Sequence, residues 1–175
     1  VSAWGFPYFS INDAGRIQVS SPDAPDCRAD LFEVVRTLSQ RGLQTPMLIR
    51  FSDILCHRLL TIAGAFERAI ASEGYRGGFC CVYPIKVNQQ RLVVEEVRDE
   101  GRSHGFGLEA GSKPELLAVL GMTSRYPDTP IICNGYKDAS YVKAMCFAWH
   151  LGRNLTAVVE RTRELDMILK HAAEA

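Results

Sequence analysis

One lysine in this chain is well placed to do chemistry, because it lies where a predicted strand gives way to a predicted helix. Lys86 sits in the segment 83–89, which follows the apolar run 79–82 and precedes a helical stretch. In parallel α/β barrels the carboxyl ends of the strands carry the active-site residues. Strand alternation puts Lys86 on the same face as Val82 and Pro84. A partly desolvated lysine amine there can form a Schiff base, whereas the alternative is a solvated lysine at a strand end.

Polar residues also follow the next three predicted strands, and each is a candidate for the same edge of the sheet. Glu109 ends the second strand, where an exposed strand-end glutamate is the alternative interpretation. Asn134 ends the third strand and is a candidate to line the mouth of a barrel, whereas Tyr136 and Lys137 are interpreted as turn and surface residues. Glu160 ends the fourth strand and is a further candidate for the mouth.

The elements that must position these residues repeat at intervals of roughly 25 residues from position 78 onward. In each repeat an apolar strand precedes a helix, with Asn88 predicted to cap the first helix and Ser112 with Glu115 predicted to form a capping box. Parallel α/β structure needs this alternation, and the periodicity alone permits half of a (β/α)8 barrel or an open doubly wound sheet. The predicted strand and helix pairs are 79–87 with 89–100, 105–110 with 113–121, 130–134 with 138–151, and 154–159 with 161–173.

The residues before this repeat contain turn signals and two helical patterns. A short hairpin, with strands at 8–11 and 16–19, is followed by a linker at 21–29 that contains two prolines. Asp30 is predicted to cap a helix, which leads to a strand at 46–51 and a second helix that ends near residue 74. We therefore expect three parts: an N-terminal β segment and linker at 1–29, a helix–strand–helix lead-in at 30–77, and the βα repeat at 78–175.

Composition excludes several functional classes. The chain is 47% hydrophobic and 23% charged, with a formal net charge of zero, so nothing favours binding to nucleic acid or to an anionic membrane surface. No apolar stretch reaches the length of a membrane helix. The cysteines form no CxxC pair, which favours buried free thiols in a reducing cytoplasm over disulfides or a metal site. They are Cys27, Cys56, Cys80, Cys81, Cys133 and Cys146.

Three motifs in order identify a family resemblance. YPIKVNQ at 83–89, FGLEAGSKPELL at 106–117 and ICNGYKD at 132–138 closely resemble the biosynthetic arginine decarboxylases. The segments WGFPYFSINDAGRIQV and PMLIRFSDILCHRL are similar to the same family, so the resemblance covers nearly the whole chain. These enzymes use pyridoxal 5′-phosphate (PLP), have an alanine racemase-like fold, and are related to the ornithine and diaminopimelate decarboxylases.

The resemblance implies a fold and a set of site residues. It selects the first half of a PLP-binding (β/α)8 TIM barrel, preceded by a hairpin that belongs to a separate β domain. It implies that PLP is held covalently by Lys86, that Glu109 supplies a carboxylate close to the cofactor, and that Asn134 lies near it. Magnesium is associated with the family, but these residues suggest no metal site.

The resemblance also implies an activity, namely decarboxylation of L-arginine to agmatine and CO₂ in polyamine and spermidine biosynthesis, by a cytoplasmic homo-oligomer. A full barrel takes about 250 residues, so we expect this 175-residue chain to be an N-terminal fragment that is inactive alone. Agmatine production by the purified chain would contradict that expectation. Two alternatives stay open: a decarboxylase of ornithine or diaminopimelate, and a non-catalytic PLP-binding pseudoenzyme.

Overall fold

The computed structural model describes residues 3–174, which divide into two compact units between residues 58 and 59. The first unit contains a three-stranded antiparallel sheet in the order β1-β2-β3, with β1 at Phe9–Ile11, β2 at Ile17–Ser21 and β3 at Ala24–Asp30. The predicted hairpin is confirmed, and its turn is held by the Asn12 side chain. The Asn12 carboxamide oxygen accepts the N–H groups of Ala14 and Arg16 at 3.1 and 2.9 Å.

Two predictions for this unit are wrong. The linker expected at 21–29 is instead largely strand β3, because the chain turns back at Pro22 and pairs Ala29 with Val19 of β2. The strand expected at 46–51 is absent from the described structure, where residues 47–51 are irregular and Leu48 is 74% exposed. An extended apolar segment becomes a strand only where a neighbouring strand completes its hydrogen bonds, and this segment pairs with no strand of residues 3–174.

The two helices of the lead-in form as predicted. Helix α1 spans Leu31–Gln40, and its predicted cap is confirmed because the Asp30 carboxylate accepts the N–H groups of Phe32 and Glu33. Partial desolvation alone would raise the pKa of Asp30, but these hydrogen bonds and one from the Asn12 side chain outweigh it, so the pKa is lowered. Helix α2 spans Ser52–Glu73 and therefore crosses from the first unit into the second.

The second unit is a four-stranded, all-parallel sheet in the order β4-β5-β6-β7, with a helix after each strand. The four predicted βα units are confirmed, although every strand is shorter than expected. The strands are β4 at Val82–Pro84, β5 at Gly107–Ala110, β6 at Ile131–Cys133 and β7 at Leu155–Ala157; the helices are α3 at Arg91–Gly101, α4 at Lys113–Met122, α5 at Ala139–His150 and α6 at Thr162–Glu174.

The core of this unit lies on one face of the sheet. Leu108, Ala110, Ile131 and Cys133 alternate along β5 and β6 and are almost completely buried. On the helical side they are covered by buried apolar residues that include Leu116, Val119, Val142 and Met145. The opposite face carries partly exposed side chains on β5 and β6. A sheet covered by helices on one face is the arrangement of a barrel segment, whereas an open doubly wound sheet is covered on both faces.

Candidate active site

Lys86 lies at the carboxyl end of β4, in a single 3₁₀ turn formed by Ile85–Val87. The strand ends at Pro84, two residues before Lys86. The strand alternation that predicted the direction of the Lys86 side chain therefore does not extend to it. Ile85 is 4% exposed and anchors the turn in the core, whereas the Lys86 side chain is exposed. Pro84 lies in β4, an edge strand of the sheet formed by the described residues, where a missing N–H is tolerated. The turn therefore presents the amine at the edge of the sheet.

Glu109 lies on the open face of the sheet, opposite the helices. The parallel register pairs it with Pro84 on β4 and with Ile132 on β6, and Ile132 in turn with Thr156 on β7. Paired residues in adjacent strands point their side chains to the same face, so these four residues form one row across the sheet. The Glu109 carboxylate is partly exposed and forms no hydrogen bond or ion pair with any residue between 3 and 174. It is therefore accessible to a bound molecule on that face.

Asn134 directly follows β6 and extends its ladder by one hydrogen bond, because its N–H donates to the Ala110 carbonyl at 2.9 Å. Its side-chain oxygen accepts the N–H of Gly135 at 2.8 Å. Gly135 has a φ of +74°, and a Cβ at this position would lie 2.5 Å from the Gly111 carbonyl oxygen. The loops that follow β5 and β6 therefore touch each other at glycine backbone, and this contact fixes the position of Asn134.

Lys137 is the residue that sequence reasoning placed wrongly. It was expected at the surface with Tyr136, which is indeed 67% exposed, but Lys137 is 1% exposed. Its Nζ donates to the Gly135 carbonyl at 2.8 Å and lies 3.5 Å from a carboxylate oxygen of Glu164 in α6. A buried lysine needs such a partner, and Glu164 is itself 2% exposed.

Glu164 connects this cluster to the loop after β7. Its Oε2 accepts the N–H of Glu160 at 3.0 Å. That hydrogen bond, and then the Lys137 ammonium, hold the pKa of Glu164 below its ordinary value despite desolvation. Glu160 was a candidate for the barrel mouth, and its own side chain is exposed. Sequence analysis missed Glu164; the signal that could have found it is its place at the third position of α6, from which a glutamate can reach back to the backbone before the helix.

The end of β5 is also held from the helical face. The Tyr141 hydroxyl donates to the Ala110 carbonyl at 2.8 Å, and burial raises its pKa. Cys133, also buried beneath the sheet, has its pKa raised to about 11, mainly by desolvation. Both groups lie on the side of the sheet opposite Glu109, so they support the site without lining it. The cysteines of the described residues are free thiols, but Cys27 and Cys80 are exposed rather than buried as expected.

Residues 3–174 contain no group of three or more His, Cys, Asp or Glu side chains arranged to hold a metal ion. Within the same range, none of the helices has the length and apolar character needed to span a bilayer.

Residues 67–175 match the family model described as "Pyridoxal-dependent decarboxylase, pyridoxal binding domain". The chain is 46% identical over 174 residues to a biosynthetic arginine decarboxylase of Rhodopirellula baltica, and 47% identical over 172 residues to one of Gloeobacter violaceus. It covers 99% and 98% of its own length in these matches but only 26% and 27% of the relatives, so it spans about a quarter of their length.

A solved structure is similar over the same extent. The crystal structure of the biosynthetic arginine decarboxylase SpeA from Campylobacter jejuni matches with a TM-score of 0.88 and 32% sequence identity. The match covers 98% of this chain and 28% of that one. The small antiparallel sheet followed by the parallel sheet with its helices is thus the arrangement found in the corresponding part of that structure.

Proposed function

The chain belongs to the pyridoxal-dependent decarboxylases, and from this we propose that it forms the PLP-binding part of an enzyme that decarboxylates L-arginine to agmatine and CO₂. The observation that carries the proposal is the placement of Lys86 and Glu109. One supplies an exposed amine at the carboxyl end of β4, and the other an accessible carboxylate on the open face of the neighbouring strand.

The chemistry of these residues fits the cofactor. PLP supplies an aldehyde that an amine can hold and a ring that accepts the electron pair released as CO₂ leaves the substrate. Lys86 has the amine for that attachment, and the 3₁₀ turn holds it at the sheet edge. Glu109 has the carboxylate that would lie beside the bound group, on the same register row as Pro84. Asn134, fixed by the contact between Gly135 and Gly111, would bound the site on the next strand.

The choice of L-arginine rests on the relatives, several of which are biosynthetic arginine decarboxylases at 45–47% identity. We extend the proposal to a place in polyamine biosynthesis, a cytoplasmic location and a homo-oligomeric enzyme. The magnesium associated with the family has no ligand cluster within residues 3–174, and no step is assigned to it.

The test uses the full-length protein that carries this chain. It is loaded with PLP, reduced with borohydride and digested, and the pyridoxyl-modified peptide is identified by mass. We expect the label on Lys86, its loss in Lys86→Ala, and its retention in Lys113→Ala. Lys113 is the matched control because it is an exposed lysine at the start of α4, at the same edge of the sheet.

A substrate panel then separates the remaining alternatives. Release of CO₂ from L-arginine, and not from ornithine or diaminopimelate, supports the proposed substrate. Release from either of the other two would replace arginine. Labelling of Lys86 without release of CO₂ from any of the three would favour a PLP-binding pseudoenzyme. A folded protein that takes no label on Lys86 would refute the proposed role of that lysine.

A further inference from the structure

The buried ion pair between Lys137 and Glu164 joins two loops at the edge of the sheet where the candidate site lies. Lys137 Nζ donates a hydrogen bond to the Gly135 carbonyl, in the loop that follows β6. Glu164 Oε2 is tied to the Glu160 N–H, in the loop that follows β7. Each side chain therefore holds backbone of one loop, and the 3.5 Å contact between the two charges couples the loops to each other.

Stabilising the fold is a poor explanation for this buried ion pair. Both side chains are at least 97% buried, and the cost of desolvating two charges commonly offsets their attraction. The second carboxylate oxygen of Glu164, Oε1, is buried and accepts no hydrogen bond from the residues between 3 and 174. A well-packed apolar pair of similar volume is often at least as stable as a buried ion pair. Fixing the loops is therefore a better account of the pair than stabilising the fold.

The connection continues from the pair to the candidate site residues. Gly135, whose carbonyl accepts from Lys137, also contacts the Gly111 carbonyl and donates to the Asn134 side chain. Gly111 lies two residues after Glu109 on β5. A continuous set of contacts thus runs from the loop after β7, through the ion pair, to the loops after β6 and β5.

We propose that Lys137 and Glu164 are positioning residues, which hold the loops after β5, β6 and β7 in the arrangement that binds PLP. The proposal rests on the proposed function, because it assigns the three loops to the cofactor site. Neither side chain is expected to touch the cofactor, since both are buried. The pair instead acts through backbone, and its loss changes the position of Asn134 and the spacing of the loops.

Three variants of the full-length protein test this: Lys137→Met, Glu164→Gln and the double variant. Glu164→Gln keeps an oxygen that can accept from Glu160 and is nearly isosteric, so it is the variant least disturbing to folding. Val119→Ala is the control, because Val119 is fully buried in the last turns of α4, which runs away from the carboxyl edge of the strands. Each variant is compared at the same interval below its own melting temperature.

Two readouts are measured: the dissociation constant for PLP, and hydrogen exchange of peptides that cover 133–138 and 157–164. We expect either single substitution to raise the dissociation constant on the order of tenfold, as loss of supporting contacts around a bound group does. We also expect exchange to rise in both peptides at once. The double variant removes the unpaired charge and should recover thermal stability without recovering PLP affinity, because methionine cannot donate to the Gly135 carbonyl.

Other outcomes overturn the inference. If the single variants bind PLP as the wild type does, or no more weakly than Val119→Ala, the pair has only a structural role. If hydrogen exchange becomes faster only in the loop of the substituted residue, the two loops are not coupled through the ion pair. A wild-type protein that binds no PLP would refute the proposed function and this inference together, whereas wild-type binding with unaffected variants would refute the inference alone.

Discussion

Replacing Gly135 with alanine should damage the site more than an equivalent substitution elsewhere, and Gly152 provides the comparison. Both glycines have a left-handed backbone, with φ of +74° and +75°. Left-handed geometry costs an alanine about 1–2 kcal/mol, so this penalty is common to both. At Gly152 a new Cβ would meet nothing within 4 Å, whereas at Gly135 it would lie 2.5 Å from the Gly111 carbonyl oxygen.

The difference in stability loss between the two variants therefore measures the contact between the loops after β5 and β6. Observed Cβ contacts essentially never fall below 3.0 Å, so Gly135→Ala must move the Gly111 backbone by about half an ångström. Forcing extra atoms into a packed region typically costs about 1–3 kcal/mol. We expect a total loss of about 2–5 kcal/mol for Gly135→Ala and about 1–2 kcal/mol for Gly152→Ala.

Two assays on the full-length protein check this prediction. Native-state hydrogen exchange of the peptide around each glycine reports the local loss of stability, and a PLP titration reports the site. Gly135→Ala should weaken PLP binding because the loop after β5 is displaced, while Gly152→Ala should not, because Gly152 precedes β7 at the opposite edge of the sheet. Equal losses of stability in the two variants, or unchanged PLP affinity in Gly135→Ala, would show that this contact does not shape the site.

Three further predictions concern single side chains. Glu109→Gln should lower kcat/KM by about 10²-fold while leaving the melting temperature nearly unchanged, since this carboxylate has no hydrogen bond or ion pair within residues 3–174; a large fall in melting temperature would contradict that assignment. At pH 8, Cys133 should resist alkylation while exposed Cys80 reacts. A pKa of about 11 leaves Cys133 with on the order of 10²-fold less thiolate than an ordinary thiol. Peptide masses recorded during alkylation will show which of the two cysteines reacts first. The pKa of Glu164 is lower in the folded chain than its ordinary value of 4.5. Its ionised form therefore stabilises the fold above that pH, and the contribution is lost as the pH falls through the folded value. The difference in melting temperature between wild type and Glu164→Gln should therefore shrink below about pH 4, and a constant difference down to pH 3 would oppose this.

The repeat of strands and helices could be predicted because local signals agree with the tertiary structure. The Ser112 hydroxyl does accept the Glu115 N–H, and Asp138 caps α5. Strand lengths could not be predicted from the same signals. The apolar run before Val82 indicated a longer β4, but Phe79 stacks on Phe66 of α2 with ring centroids 3.9 Å apart and takes no part in the ladder. Hydropathy reports that a residue is apolar, and a strand or a helix can bury it equally well.

The sequence could not predict which way side chains at the candidate site point or which residues they pair with. Lys86 was placed correctly at a strand end, but the 3₁₀ turn that carries it breaks the alternation used to orient it. Lys137 was misplaced because lysines are mostly exposed, and because its partner lies 27 residues away at the start of another helix. Asn88 likewise does not cap α3, whose N-cap is Gln90, although its side chain accepts the Gln90 N–H.

The hydrogen bonds made by backbone N–H groups in the loops after β5 and β7 limit whether these loops can bind the phosphate of the cofactor. A glycine followed by a helix N-terminus, as at Gly111, resembles a phosphate-binding loop. Here the Gly111 N–H donates to the Glu115 carboxylate at 2.7 Å, and after β7 the Glu160 N–H donates in the same way to Glu164. In both loops a glutamate at the third helical position occupies a donor that a phosphate would need and adds a negative charge that would repel it. From the proposed function we therefore expect the phosphate of the cofactor to be held by residues outside these two loops.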